Sequence, residues 1–182
     1  IEEFEPNLIA ISILEDVYPL SVEMLRAIEH FKIPLIAGGV FPTFAPQIVI
    51  KEEAVSMVCI GEGEEVLIEV CRKLANNEDI SNVKNLWVKR DGEIIKNTLR
   101  PLRDINLNPL PDFSIFHDDR FLKPMKGRLY RMAPVEPHRG CPYTCSFCNS
   151  KSQKELYKSE TGENFLRVKD IEHVYNEIKL YD

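Results

Sequence analysis

Three thiols crowd into one short loop, Arg139-Gly140-Cys141-Pro142-Tyr143-Thr144-Cys145-Ser146-Phe147-Cys148, with three residues between the first two and two between the last two. Thiolates at this spacing converge on one soft metal ion or cluster. Three of them ligate three irons of a four-iron four-sulfur cubane and leave the fourth iron open, which implies catalysis rather than electron storage. Gly140 permits the backbone conformation a tight loop needs, and Pro142 restricts the chain before the ligands converge. Two other readings stand beside this one. A zinc knot would take His138 or a distant cysteine as fourth ligand, and a ferredoxin-like cluster would want a fourth cysteine nearby, which the sequence lacks.

The other two thiols, Cys59 and Cys71, fall in apolar segments, so the five cysteines do not read as a disulfide framework and point to a reducing compartment, the cytoplasm. The 182 residues, 44% hydrophobic, suffice for one substantial core or two small units. A formal charge of -6 offers no basic field for nucleic acid phosphates. The longest apolar run, about Leu8 to Leu14, is far short of the roughly 20 residues of a membrane span. The chain opens in a charged stretch without an initiator Met or a signal-peptide pattern, as an excised piece of a longer protein would.

Positioning these groups falls to short apolar runs alternating with helical periods, the pattern of a parallel sheet flanked by helices. Residues 7–14 are apolar on both faces, as in a buried parallel strand. Ser21 is expected to cap a helix carrying Val22, Leu25, Ile28 and Phe31 on one face. A strand over 33–37 ends in Gly38-Gly39 and leads to a proline-rich loop through Phe41-Pro42-Thr43. A third strand over 56–60 ends in Gly61-Glu62-Gly63-Glu64, and Val66, Leu67, Val70, Cys71 and Leu74 then mark an amphipathic helix. Glu62 and Glu64 read as helix-start charges rather than an acid–base pair. Asp91-Gly92 turns a hairpin in which Trp87 is a packing anchor. Pro101, Pro109, Pro111 and Pro124 make 100–128 a linker. A strand from Tyr130 to Val135 enters the cysteine loop, and a helix from about Asp170 carries Ile171, Val174, Ile178 and Tyr181 on one face. One strand, one loop and one helix do not close a core, so this second unit is expected to be truncated.

The cysteine loop, with Phe147 directly before its last thiol, resembles the signature of the radical S-adenosylmethionine superfamily. The resemblance implies that Cys141, Cys145 and Cys148 hold a [4Fe-4S] cluster, that S-adenosylmethionine chelates the open iron, and that Phe147 contacts the adenine. It also implies reductive cleavage of the sulfonium to a 5′-deoxyadenosyl radical, which takes hydrogen from substrate. Ser12-Ile13-Leu14 and, 23 residues on, Gly38-Gly39 resemble the Ser-x-Leu and Gly-Gly of the cobalamin-binding domain that precedes the barrel in one class of these enzymes. Gly39-Val40-Phe41-Pro42-Thr43 and Gly61-Glu62-Gly63 resemble loops of that domain. By this resemblance Ser12, Leu14, Gly38, Gly39, Val40, Phe41, Pro42, Thr43, Gly61, Glu62 and Gly63 bind cobalamin, at strand ends where open parallel sheets take ligands. The family's Asp-x-His-x-x-Gly, whose His can ligate cobalt, is absent from this chain. His30, His117, His138 and His173 read as surface or capping residues.

The expected architecture is α/β. A partial doubly wound, Rossmann-like (flavodoxin-type) cobalamin-binding domain spans 1–78, a β-hairpin and proline-rich linker 79–128, and the truncated start of a radical S-adenosylmethionine partial (β/α) barrel 129–182. The implied function is a transferase-type reaction: methyl transfer, or rearrangement or cyclisation, at an unactivated carbon of a small-molecule substrate. An electron donor such as flavodoxin or ferredoxin would drive it. The piece alone is expected to be inactive. Two alternatives stay open. One is a methylthiotransferase-like enzyme modifying RNA or protein, whose first domain carries its own three-cysteine cluster where this chain offers only Cys59 and Cys71. The other is a non-catalytic cobalamin- or metal-binding module. Arg167 and Lys169 either resemble a basic segment of the family or form a solvated face.

Overall fold

Short apolar runs become the strands of a mixed sheet in the computed structural model, which describes residues 1–181. In the first of its two units, Ile1–Pro101, strands β1 (Ile9–Ser12), β2 (Leu35–Gly38) and β3 (Met57–Cys59) run parallel in that order, with Ser12 opposite Gly38 and Ala37 opposite Val58. Helix α1 (Tyr18–Ile28) joins the first two strands; α2 (Val40–Phe44) and α3 (Pro46–Val49) lead to β3, and α4 (Glu64–Ala75) follows it. Side chains alternate faces along a strand. Ile36, Met57 and Cys59 therefore join Val66 and Val70 of α4 in one buried cluster, while Leu35, Ala37 and Val58 are buried on the opposite face. Each such Val, Leu or Ile contributes roughly 1.5–3 kcal/mol when fully withdrawn from water.

The Asp91-Gly92 turn forms as its sequence predicts, with φ of 52° and 82°, the positive values a primed two-residue turn requires. The hairpin is nevertheless no separate ribbon. β4 (Leu86–Arg90) pairs antiparallel with β3, and β5 (Glu93–Lys96) with β4, giving one five-stranded sheet. The reason lies in the core, because Leu86 and Val88, with Val83, complete the cluster under α4. Trp87 is half-buried, with the Lys96 ammonium 4.3 Å from its ring centroid.

β1 is the opposite edge of the sheet, and Ala10 and Ser12 are exposed. The doubly buried strand expected there is thus a half-buried one, with the face that carries Ala10 and Ser12 left uncovered. Ser21 lies inside α1 rather than at its start. Pro19 occupies the first turn, where a missing N–H is harmless, and the Ser21 hydroxyl donates to Val17 O at 3.0 Å. The expected proline-rich loop is helical, because Pro42 and Pro46 fall in the first turns of α2 and α3, where a fixed φ is tolerated.

The second unit, Leu102–Asp182, has a thinner core. β6 (Leu122–Met125) and β7 (Arg128–Arg131) form an exposed hairpin, so the strand expected from Tyr130 to Val135 ends at Arg131. Two-residue strands β8 (His138–Arg139) and β9 (Arg167–Val168) pair antiparallel. Between them stands α5 (Ser150–Thr161), a helix without an apolar stripe to predict it: of its residues only Tyr157 is buried, stacked on Phe165 at 5.1 Å. Its legible signals are the Lys151–Glu155 pair and Gly162 closing it at φ 77°. α6 (Ile171–Lys179) follows Asp170 as expected, but Ile171 and Ile178 are exposed and the helix buries Glu177. Among the described residues no helix is long and apolar enough to cross a membrane.

Candidate functional site

The ends of the three parallel strands meet at a pocket of about 280 Å³. Ser12 at the end of β1, Gly38 and Gly39 at β2, and Gly61 and Gly63 after β3 line it, with Ala10, Ile11, Ile36, Cys59 and Leu67 as apolar walls. Five residues chosen on sequence thus share one cavity. Leu14, Val40, Phe41, Pro42, Thr43 and Glu62 lie outside its lining. Leu67, read from the sequence only as part of the apolar face of α4, and Cys59, whose place depends on strand register, are lining residues that sequence reasoning missed. Gly39 has φ +102°, and a Cβ there would lie 2.9 Å from Ile13 O and Ser12 Oγ. Only glycine fits this wall, and its bare backbone suits close approach by a bulky group.

Two braces hold the pocket's walls. The Thr43 hydroxyl donates to Gly39 O at 2.8 Å and accepts the Gly61 N–H at 3.0 Å, joining two glycine turns. Asn85, fully buried with φ 69°, donates from Nδ2 to Glu62 O at 3.2 Å and accepts the Arg100 N–H at 2.7 Å. Asn85 carries no sequence signal, because it acts across 23 residues. Of the two carboxylates expected at the start of α4, Glu64 opens the helix together with Glu65, while Glu62 lies before its cap, Gly63.

Burial pushes the Cys59 thiol up from its ordinary 9.0 to about 12, against the pull of Arg100 and with a smaller push from Glu64. It stays neutral and is a poor metal ligand. The unfolded chain releases this proton above pH 9 and the folded chain only near pH 12, so stability present below pH 9 is lost as the pH rises through that window. A shift of this size corresponds to a loss on the order of 4 kcal/mol. Alkaline melts check it. The melting temperature of the wild type is expected to fall more steeply over this range than that of Cys59→Ala, and equal slopes would refute the assignment.

The second constellation stays within the second unit. Gly140 takes φ +95°, and a Cβ there would sit 2.9 Å from Leu166 Cα and Phe165 O, so the loop leaves β8 in close contact with the chain entering β9. Lys154 of α5 donates to Pro142 O at 3.1 Å and Tyr143 O at 3.4 Å, and the Cys148 N–H donates to Cys145 O at 3.2 Å. All three loop thiols are free, Cys141 half-buried and the other two exposed. Ser150, through its hydroxyl and then its N–H, holds the Cys148 thiol below its ordinary value. Phe147 is 92% exposed. Among the described residues no three His, Cys, Asp or Glu side chains converge on a point that could hold an ion. The donor set itself, three thiols on one loop with one biased toward thiolate, fits an iron–sulfur cluster.

Lys169 departs from the solvated-face expectation. It is 8% exposed rather than solvated, and its ammonium pairs with the buried Glu177. Arg167 donates to Arg103 O at 2.7 Å.

No family model matches the chain. It is 30% identical, over 186 aligned positions and 98% of its length, to the anaerobic magnesium-protoporphyrin IX monomethyl ester cyclase of Cereibacter sphaeroides, of which it covers 28%. It is 26% identical to the uncharacterized methyltransferase PH0819 of Pyrococcus horikoshii, again over 98% of its length and 39% of the relative. The chain therefore spans less than half the length of these curated relatives. Among solved structures it resembles the cobalamin-dependent S-adenosylmethionine radical enzyme OxsB with aqua-cobalamin and S-adenosylmethionine bound, with TM-score 0.71, 20% identity, and coverage of 97% of this chain and 23% of that one. It also resembles the radical S-adenosylmethionine methyltransferase TsrM from Kitasatospora setae, with TM-score 0.68, 12% identity, and coverage of 98% and 35%. These structural likenesses establish the mixed α/β fold with its parallel strands.

Proposed function

We propose, from the likeness of its fold to a cobalamin-dependent S-adenosylmethionine radical enzyme and to a radical S-adenosylmethionine methyltransferase, that this chain carries the cobalamin site and the cluster loop of such an enzyme. The observation that carries the reading is the gathering of Ser12, Gly38, Gly39, Gly61 and Gly63, distant in sequence, into one pocket at the carboxyl ends of parallel strands. That pocket would take the nucleotide tail of cobalamin, with Thr43 bracing it and Leu14, Val40, Phe41, Pro42 and Glu62 flanking it in the chain. In the second unit Cys141, Cys145 and Cys148 would hold a [4Fe-4S] cluster and Phe147 would face the adenine of S-adenosylmethionine.

When bound, these groups supply an electron, a 5′-deoxyadenosyl radical and a second cofactor for methyl transfer, rearrangement or cyclisation at an unactivated carbon of a small molecule. The chain's own residues prepare their sites. Ser150 biases Cys148 toward the ligating thiolate, Lys154 ties down the Pro142 and Tyr143 carbonyls, and burial keeps Cys59 protonated beside the pocket. A reductant such as flavodoxin or ferredoxin would complete the system. The methylthiotransferase alternative is weaker, since the first unit holds only the buried Cys59 and the exposed Cys71.

Titration with aquacobalamin, and separately anaerobic reconstitution with ferrous iron and sulfide, test the proposal. One cobalamin and about four irons per chain, with charge-transfer absorbance, are expected. Zinc as the sole bound metal, or no cobalamin uptake, would sink it.

A further inference from the structure

β8 and β9 pair through only two residues each, His138 opposite Val168 and Arg139 opposite Arg167. His138 and Val168 are exposed, so no buried apolar pattern specifies the register of this ladder. A one-residue slip is normally resisted by such a pattern. Here it would displace Gly140 from its contact with Leu166, and with it the start of the cysteine loop. Something else must pin the strands.

Around this ladder lies a charge cluster. Lys169, directly after β9, donates to the Glu177 carboxylate of α6, each side chain 5% exposed, and its Nζ lies 3.7 Å from Glu136 Oε2. Arg139 of β8 grips Glu136 with two hydrogen bonds, Nε to Oε1 at 3.0 Å and a terminal nitrogen to Oε2 at 3.1 Å. His173 places Nε2 3.6 Å from Glu177 Oε1. Two cations, Arg139 and Lys169, thus meet two carboxylates, Glu136 and Glu177. The Lys169 N–H also donates to Pro137 O at 3.0 Å. Buried ion pairs gain little stability over apolar packing, and their best-attested use is to select one register.

We propose that Glu136, Arg139, Lys169 and Glu177 are the register lock of the cysteine loop, positioning residues that fix where Gly140 and Cys141 leave the sheet and so govern cluster assembly. This rests on the cluster reading above, and two measurements on the full chain separate their fates. Hydrogen exchange of the iron-free chain tests the lock itself. Lys169→Met, and the milder Glu136→Gln at a half-exposed site, are expected to speed exchange of the Lys169 amide at least tenfold, with amides of α4 unchanged, while Lys169→Arg retains protection. Reconstitution with ferrous iron and sulfide tests the consequence. Lys169→Met and Glu136→Gln are expected to bind less than half the iron of wild type, or to split the reduced-cluster paramagnetic resonance signal into several species, and Lys169→Arg to restore a single one. Unchanged exchange in Glu136→Gln overturns the lock even if Lys169→Met does not fold. Faster exchange with unaltered iron and signal overturns its role in assembly. A wild type that takes up no iron overturns the cluster reading and leaves the exchange result to decide the lock.

Discussion

Cys145→Ala is expected to abolish cluster assembly while leaving the fold intact. The Cys145 carbonyl, not its side chain, accepts the Cys148 N–H at 3.2 Å, so alanine preserves the turn and removes only a thiolate. Its side chain is exposed, which makes the cost to packing small. With two thiolates left, the cubane loses one of its three protein-bound irons. Iron affinity should fall by more than the roughly 10–100-fold that follows from losing even a ligand's supporting partner. Iron and sulfide per chain and charge-transfer absorbance measure this, with Cys71→Ala, an exposed thiol on α4, as the matched control. Wild-type iron content in Cys145→Ala, or an equal loss in Cys71→Ala, would place the metal elsewhere.

Gly39→Ala should destroy the pocket and weaken the first unit together. An alanine held at φ +102° is strained, and its Cβ meets Ile13 O at 2.9 Å and Ile13 N at 3.0 Å, backbone atoms that cannot swing aside. Strain of this kind costs about 1–3 kcal/mol, and each kcal/mol lowers the melting temperature by roughly 4–8 °C in a unit of this size. Gly92→Ala separates the two effects. Gly92 also has positive φ, +82°, but no atom within 4 Å of the added Cβ, so that variant should lose some stability and keep cobalamin. Thermal melts with aquacobalamin titrations read both quantities. Undiminished binding by Gly39→Ala would remove this cavity from the functional reading.

The glycines and the cysteines were legible for different reasons. Cys141, Cys145 and Cys148 are close in sequence, so their chemistry can be read without a fold. Gly38-Gly39 is a common strand ending, and that it shares one pocket with Ser12 depends on the β1–β2 register, which sets Ser12 opposite Gly38. Ser21, a good helix cap in isolation, lost that place because Pro19 starts the helix a turn earlier. Helix α5 escaped notice because a helix that buries little has no stripe to show. A solvated face was one open reading of Lys169 because charged residues usually are solvated, but Glu177, eight residues away on α6, and Glu136 make its burial tolerable.

What the amino-acid sequence determined by itself is local: the thiol spacing, the left-handed Asp91-Gly92 turn, the acidic start of α4, and the apolar runs that become strands. Each depends on the backbone preferences or side-chain chemistry of neighbouring residues, which act whatever the rest of the chain does. The tertiary structure alone decided that the hairpin completes the first core, that Thr43 and Asn85 brace the glycine turns, and that Lys169 is drawn into a buried charge cluster. Burial is collective, and whether a side chain meets water, a carbonyl or a counter-charge depends on segments that only folding brings beside it.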